Sequence, residues 1–246
     1  MPPLSLQSDY EQIVKDSERL FRPLDKSAQK EYALMLKELR QEVADTYAKY
    51  ANDEGVLTYA EMQKYNRIRS LKNVIDDIVQ NRTNNVKARM TSALKEDIQQ
   101  SYAASMAVLG DTTGAALVTK ISADEITAIL QKPVEGWTFA ERMALRTKDL
   151  AVRLQGTVIN GYVRGDSLQD AAAAVKDTVE KDFVRFRSFA GDFSHKVSQN
   201  AVDSSISTAA DKGIEVTKTW VTAGDDRVRD AHRLLDGQTV RGDEIG

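Results

Sequence analysis

The sequence predicts a mainly α-helical protein, with an elongated, long-helix N-terminal half and a helical C-terminal half that ends in a small αβ motif. Only 4 Pro and 13 Gly occur in 246 residues, so helices can run far without a breaker. Aromatic residues make up 7% of the chain, which suits the slender packing of helices better than a thick β-sandwich core. Apolar residues recur mostly at three- and four-residue spacing, and period-two alternation is confined to one late segment.

Bulk composition excludes several function classes. The net charge of −3 and the pI near 5.6 argue against a dedicated nucleic-acid binder, because such proteins carry an excess of Lys and Arg. Without Cys, the chain has no disulfide, thiolate nucleophile or Cys-based zinc site. The start Met-Pro-Pro-Leu-Ser lacks the features of a signal peptide, and no apolar run approaches the roughly 18 residues of a membrane span. We therefore expect neither secretion by that route nor a membrane span.

Two helices are predicted in the first 50 residues. The first covers Ser8 to Phe21, because Pro23 follows and disfavours a continuing helix, and the second begins after Ser27. In the second helix, apolar and aromatic residues alternate at spacings of three and four, which predicts a partner helix along its length. This seam consists of Tyr32, Leu36, Leu39, Val43 and Tyr50.

The next helix is predicted to be very long. Residues 52–55 have turn chemistry, and Thr58 with Glu61 forms a capping box. From Tyr59 to Leu109 there is no Pro and no Gly, so one helix of roughly 75 Å fits at 1.5 Å per residue. A stripe of apolar residues recurs every four positions and must slide around a straight helix, so either the helix breaks near residues 84–85 or its partner wraps around it. The stripe consists of Val86, Met90, Leu94, Ile98, Tyr102 and Met106.

The remaining sequence predicts shorter elements. Gly110 to Gly114 ends the long helix, and capping boxes at Ser122 and Thr138 start helices that end before Pro133 and near Arg164. Further helices reach Lys212, alternation over 214–222 predicts a strand, and 236–237 is a turn. We divide the chain into a long-helix region (1–110), a helical domain (111–213) and a C-terminal strand-helix-turn motif (214–246).

The longest basic stretch lies on the predicted long helix. These side chains could neutralise DNA phosphates or bind an acidic protein surface such as that of an assembly partner. A solvated helix face is the favoured alternative, because no nucleic-acid motif accompanies the stretch and Tyr65 is its one nearby aromatic. The stretch consists of Lys64, Arg67, Arg69, Lys72, Arg82, Lys87, Arg89 and Lys95.

No complete catalytic set is visible. His232 with Asp226 and Asp236 could hold a metal in a hydrolase, but capping and local ion pairs in one short helix explain the same residues. The chain has no G-x-S-x-G elbow, no H-x-x-x-H pair and no phosphate-binding loop. We therefore predict a protein that is not an enzyme, with no catalytic residue, metal or cofactor.

The segment from Lys218 to Val240, KTWVTAGDDRVRDAHRLLDGQTV, resembles the signature of tailed-phage head morphogenesis proteins. These are the minor capsid proteins typified by the F protein of phage Mu, and the resemblance covers roughly Thr138 to Gly246. Some relatives carry Cys where this chain has Arg229 and His232, and many continue beyond the Leu-Asp-Gly turn, some into toxin-like modules. The matching motif residues are Trp220, Asp225, Asp226, Arg227, Arg229, His232, Leu235, Asp236 and Gly237.

The resemblance implies a structural role in a bacteriophage virion. It implies a protein made in the host cytoplasm and recruited inside the head near the portal, where it aids head assembly and DNA packaging or ejection. The expected partners are the portal protein, other head proteins and further copies of the chain, with nonspecific contact to packaged DNA. The motif residues are expected to hold the C-terminal fold, with Trp220 packed against the motif helix. The rival readings are a DNA-binding internal head protein that uses the basic helix and the metal-dependent hydrolase.

Overall fold

The computed structural model describes residues 6–220 and 233–241, with the side chains of residues 7 and 18 excepted. Long helices dominate it, and the two short strands pair in an antiparallel sheet, so the predicted mainly α class is confirmed. None of the described helices has an apolar stretch long enough to span a membrane. The elements are α1 (Gln7–Tyr50), α2 (Tyr59–Gln63), α3 (Arg67–Thr113), α4 (Ala123–Gln131), α5 (Phe139–Arg164), α6 (Leu168–Ala210), β1 (Thr217–Thr219) and β2 (Thr239–Arg241).

Helix α1 is continuous, so the prediction of two helices separated at Pro23 is wrong. Pro23 lies inside the helix and is exposed, although it lacks the N–H that an interior position donates. Apolar residues just after it, Leu24 and Ala28, are buried. Burial of this face outweighs the lost hydrogen bond. Farther along, Tyr32, Leu39 and Val43 of the predicted seam are buried, whereas Leu36 and Tyr50 are partly exposed.

The long helix breaks at a different place from the predicted one. A 3-10 turn over Lys64–Asn66 separates α2 from α3, and Tyr65 and Asn66 have φ of 53° and 58° there. At the predicted break, the helix runs through residues 84–85 without interruption, because the flanking Thr83 and Val86 are buried. All six residues of the four-residue stripe are buried, as expected for core positions.

Local capping chemistry predicts the helix ends well. The Ser122 hydroxyl accepts a hydrogen bond from the Glu125 N–H at 3.2 Å, and α4 begins at the next residue. At α5 both halves of the capping box between Thr138 and Glu141 are present. Gly165, with φ of 74°, ends that helix in the left-handed region that glycine adopts without strain. These boundaries agree with the prediction.

The chain forms two compact units, and each is assembled from separate stretches of sequence. Unit 1 comprises Met1–Glu18, Lys95–Ile129 and His195–Gly246. Unit 2 comprises Arg19–Leu94 and Leu130–Ser194. Helices α1, α3 and α6 therefore each contribute residues to both units. The sequence-based division into 1–110, 111–213 and 214–246 stays a prediction.

Unit 2 has an aromatic core and an ion pair to a buried carboxylate. The ring of Tyr32 on α1 lies 5.1 Å from that of Phe183 and 5.9 Å from that of Phe186, both on α6. The Tyr32 hydroxyl donates to the buried carboxylate of Asp182 at 2.7 Å, and Arg153 on α5 donates to the same carboxylate at 2.5 Å. Burial, and then the charge of Asp182, raise the pKa of Tyr32 well above its usual value. This network joins α1, α5 and α6.

Unit 1 has a serine-rich core. The hydroxyls of Ser101 on α3 and Ser198 on α6 lie 2.8 Å apart, and the Ser205 hydroxyl donates to Ser105 at 2.6 Å. All four serines are buried, and so is Asp97, one turn before Ser101. Helices α3 and α6 therefore meet in this unit through hydroxyl pairs as well as apolar contacts.

Strand β1 is shorter than the sequence predicts. Alternation predicts a strand over 214–222, but β1 covers only Thr217–Thr219. Ile214 and Val216 instead pack against a buried cluster of helical residues in unit 1, so they anchor the segment before pairing begins. Strand β1 pairs antiparallel with β2, with Lys218 opposite Val240.

Candidate functional site

The described part of the C-terminal motif is a small β-hairpin. Four of the nine motif residues lie in it: Trp220, Leu235, Asp236 and Gly237. The other five fall outside the described residues, together with the predicted motif helix. These five are Asp225, Asp226, Arg227, Arg229 and His232.

Backbone hydrogen bonds close the hairpin beyond its two strands. The Trp220 N–H donates to the Gln238 carbonyl at 2.9 Å, and the Gly237 N–H donates to the Trp220 carbonyl at 2.8 Å. Gly237 has φ of 77°, which a side chain would disfavour, so the Asp-Gly turn of the motif requires its glycine. Residues 220 and 237 are thus fixed opposite each other.

The hairpin presents large apolar side chains to solvent. Leu234 is 78% exposed and Trp220 is 46% exposed, while Leu235 and Val240 are each more than a third exposed. A cluster of exposed large apolar residues in one short element is typical of a protein-binding surface. We call Trp220, Leu234 and Leu235, which lie beyond the paired strands, the hairpin tip. Trp220 and Leu235 are predicted motif residues, whereas Leu234 and Val240 are not, and the signal that could have identified Leu234 is the Leu-Leu pair before the Asp-Gly turn.

The base of the hairpin is fixed to unit 1. The Lys218 ammonium lies 2.8 Å from the Asp203 carboxylate on α6. Ile214 and Val216 pack on the buried cluster formed by Leu109, Ile206 and Ala209. A hairpin of two three-residue strands is marginal on its own, so these contacts give it a fixed base.

The proposed metal ligands are not brought together in the described part of the chain. Asp236 is exposed in the hairpin turn, and Asp226 and His232 fall outside the described residues. Among residues 6–220 and 233–241, no group of three His, Asp or Glu side chains could hold a metal ion. The metal-dependent hydrolase stays an untested alternative.

One part of the basic stretch is engaged by carboxylates of unit 2. Arg82 forms ion pairs with Glu38 and with the buried Glu31, and Arg89 lies 4.0 Å from Glu31. Two further cations of the stretch, Lys64 and Arg67, pair with Glu61. These four cations have local structural roles, so their charges are largely compensated.

The other part of the basic stretch lies on a different side of α3. Arg69, Lys72 and Lys87 make no ion pair with any described residue, and in unit 1 the same holds for Lys95. At 3.6 residues per turn, Arg69 and Lys87 fall on one line, about 150° around the helix from Arg82 and Arg89. The stretch therefore divides into cations that pair with described carboxylates and cations that do not.

A cavity of about 600 Å³ opens beside the turn between α2 and α3. Tyr65, the aromatic residue next to the basic stretch, lines it and is 88% exposed. The Arg67 guanidinium lies 3.9 Å from the ring centroid of Tyr50, which forms another part of the wall. No sequence signal predicted this corner, because both Tyr65 and Asn66 are non-glycine residues in the left-handed region.

Residues 152–246 match the family model described as Phage Mu protein F like protein. Over these residues the chain is similar to the phage Mu F-like family. The matched region contains the second half of α5, all of α6 and the hairpin, so the resemblance based on the Trp220 to Gly237 motif is confirmed. The hairpin tip is accordingly part of the phage Mu F-like region.

Two relatives extend this similarity toward the N-terminus. The chain is 25% identical over 237 residues to the minor head protein GP7 of Bacillus phage SPP1, which covers 96% of this chain and 76% of that protein. It is 22% identical over 196 residues to the protein named NAD(+)--arginine ADP-ribosyltransferase EFV of Enterococcus faecalis, covering 79% of this chain and 40% of that protein. No solved structure matches the chain significantly. The family and the first relative support a structural role in a phage head.

Proposed function

We propose that this chain is a structural minor head protein that acts in head morphogenesis next to the portal, inside the virion. The observation that carries the proposal is the similarity over 96% of the chain to a minor head protein, with the phage Mu F-like region containing the hairpin. The chain spans only 40% of the relative named as an ADP-ribosyltransferase, so we do not propose that activity for this chain. We propose no catalytic residue.

The hairpin tip is the proposed contact with the portal or another head protein. Its three apolar side chains are exposed, whereas the base of the hairpin is held by the packing of Ile214 and Val216 on the buried cluster and by the ion pair of Lys218 with Asp203. A rigid base lowers the entropy that the tip loses on binding, and exposed Trp and Leu side chains supply apolar area to bury. The surface thus combines a fixed position with a favourable contact energy.

Co-expression with the portal protein of the same phage tests this contact. We expect the wild-type chain to co-purify with the portal, and Leu234→Asp to reduce the recovered chain at least about tenfold, because a carboxylate would be buried in an apolar contact. Val118→Asp is the matched control, since Val118 is 57% exposed in a loop of the same unit. Equal recovery of Leu234→Asp and wild type would refute the role of the tip. Failure of the wild-type chain to bind the portal would refute the portal contact itself.

A role in DNA packaging or ejection is the finer part of the proposal. Phage that carry Leu234→Asp are expected to assemble heads that lack this protein and to lose infectivity. Quantifying the chain, the packaged DNA and the plaque-forming units per particle separates the steps. Particles that contain normal amounts of the chain and infect normally would contradict this role.

A second candidate function is contact with packaged DNA through the unpaired cations of α3. The observation that favours it is that Arg69, Lys72 and Lys87 make no ion pair with a described residue, whereas carboxylates engage Arg82 and Arg89. Neutralising these three cations together with Lys95 as Gln should abolish a salt-dependent shift of duplex DNA. Each lost phosphate contact lowers the slope of log K against log salt by about 0.9.

The matched control for DNA contact is a Gln substitution at Arg89, whose charge is compensated by Glu31. It should leave the shift and its salt dependence unchanged. If the fourfold variant shifts DNA as well as wild type does, the DNA-binding function is wrong.

A further inference from the structure

The outer side of α5, within unit 2, carries an exposed apolar line. Leu145, Val152 and Val163 are 48%, 57% and 63% exposed, although the opposite side of the same helix is buried through residues such as Leu154 and Val158. Val152 follows Leu145 by seven residues, close to two helical turns, and Val163 follows it by eighteen, which is five turns. The three exposed side chains therefore lie nearly in one row along the helix. A soluble helix normally places polar residues on its outer side, so this row requires a physical explanation.

Gly156 lies in the same row and leaves an open space there. A Cβ atom built on Gly156 would meet no other atom within 4 Å. Glycine in a helix interior costs stability relative to Ala, by roughly 1 kcal/mol, and no packing inside the chain requires it here. The row therefore consists of three apolar side chains and one gap.

The row is symmetric about the level of Leu154. Leu145 and Val163 are nine residues before and after this level, and Val152 and Gly156 are two residues before and after it. If a second α5 packs antiparallel on the first, Leu145 faces Val163 and the Val152 side chain faces the gap at Gly156. A parallel arrangement would place Val152 on Val152 and leave two gaps opposite each other.

We propose that this row is a self-association surface, on which α5 of a second copy of this chain binds antiparallel about a two-fold axis near residue 154. An isologous contact requires one surface that is complementary to itself, and the row meets this requirement. Burial of Val152 in the gap at Gly156 allows the two helices to approach closely. The inference is independent of the proposed portal contact, which uses a different unit.

Polar side chains beside the row are compatible with this arrangement. Asp149 and Asn160 lie on the same flank, at similar distances from the centre, so in the antiparallel pair a carboxylate of one copy faces an amide of the other. Arg153 lies close to the two-fold axis, where its counterpart approaches. Its charge is compensated within each copy, because it pairs with Asp149 at 2.9 Å and with Asp182 at 2.5 Å.

The contact is small, so we expect weak and concentration-dependent dimers. Three side chains that are each about half exposed bury on the order of 300 Å² per copy, well below the ~800 Å² per partner of a standard stable interface. Dimers should therefore form at high concentration, or where copies are held close together.

Sedimentation velocity of the full chain over a concentration series tests the surface. The weight-average sedimentation coefficient of the wild type should rise with concentration, and Val152→Asp should weaken dimerisation at least about tenfold. Val184→Asp is the matched control, because Val184 is 65% exposed on another helix, and it should associate like wild type. Gly156→Ala should stabilise the monomer against urea yet weaken the dimer, which a nonspecific apolar contact would not do. A wild type that stays monomeric up to about 1 mM overturns the proposal.

Single cysteines report the orientation, because the chain has no Cys of its own. In the antiparallel dimer, Leu145→Cys on one copy faces Val163→Cys on the other, and a disulfide should form rapidly only when the two variants are mixed. Within either variant alone the two cysteines are about 27 Å apart, far beyond the roughly 7 Å that a disulfide allows between Cα atoms. Disulfides that form equally well in the separate samples, or none in the mixture, would overturn the antiparallel arrangement.

Discussion

Replacing Asp97 by Asn is expected to stabilise unit 1 at neutral pH. The Asp97 side chain on α3 is fully buried, and its Oδ1 accepts a hydrogen bond from Ser101 at 3.3 Å. Ser17 on α1 also hydrogen bonds to the carboxylate, whereas Oδ2 has no partner among the described atoms. Burial raises the pKa of Asp97 from its ordinary 3.8 to about 6, and the two serines offset only part of this effect.

The size of the effect follows from this pKa. A rise from 3.8 to about 6 corresponds to roughly 3 kcal/mol at 1.36 kcal/mol per pH unit. The folded pKa lies above the unfolded one, so the folded state binds the proton more tightly and unit 1 loses stability as pH rises from about 4 through 6. Above pH 6 the full cost of the buried charge is present. An Asn amide has nearly the same size and keeps one oxygen acceptor for the serine hydroxyls without the charge, so the gain at pH 7.5 is at most about 3 kcal/mol.

Urea denaturation at two pH values is the assay, with hydrogen exchange of peptides from residues 95–113 to localise the effect to unit 1. From pH 7.5 to pH 5 the wild type should gain about 1.5 kcal/mol from Asp97, and Asp97→Asn should lose this dependence. Asp111→Asn, at an exposed position on the same helix, is the control and should change neither value. If Asp97→Asn destabilises the unit at pH 7.5 and keeps the wild-type pH dependence, the carboxylate is not a buried charge and the reasoning is wrong.

Three further changes test other parts of the fold by urea denaturation. Asp182→Ala removes the acceptor of the buried Tyr32 hydroxyl and of the partly buried Arg153 in unit 2, and it should cost about 3–5 kcal/mol. The exposed Asp177→Ala should cost less than about 0.5 kcal/mol, and equal effects would contradict the role of the Asp182 network. Pro23→Ala restores an interior helix hydrogen bond at an exposed position and should stabilise the chain by up to about 3 kcal/mol. A loss of stability would show instead that the fold requires a kink at Pro23. Thr138→Ala should cost about 1 kcal/mol by removing the cap of α5, and an unchanged stability together with unchanged exchange near residue 140 would show that the cap is not needed.

The sequence predicts those parts of the fold that depend on neighbouring residues. The caps at Ser122 and Thr138 and the end of α5 at Gly165 are correct, because side-chain and backbone hydrogen bonds within a few residues determine them. The predicted helix end before Pro23 is wrong, and of the two alternatives given for the four-residue stripe the break near residues 84–85 does not occur, because buried residues next to these positions outweigh the local preference. The break at Lys64–Asn66 could not be predicted, since no local pattern favours two non-glycine residues at positive φ.

Only part of the candidate site could be predicted from the sequence. The Trp220 to Gly237 motif is a local pattern, and its closing hydrogen bonds join residues less than twenty positions apart. The basic stretch looked uniform in the sequence, because the carboxylates that compensate Arg82 belong to α1, 44 and 51 residues earlier. The exposed row on α5 was also missed, since its residues are apolar and a sequence pattern alone assigns apolar positions to the core.

By itself, then, the sequence determined the helical class, most helix ends and the identity of the C-terminal motif, because each depends on interactions between residues close in the chain. Only the tertiary structure decided which distant segments form each compact unit. It also decided which cations of the basic stretch are compensated and which apolar residues remain at the surface. These features depend on contacts between distant residues, and a periodic pattern shows that a helix has an apolar side without showing what, if anything, covers it.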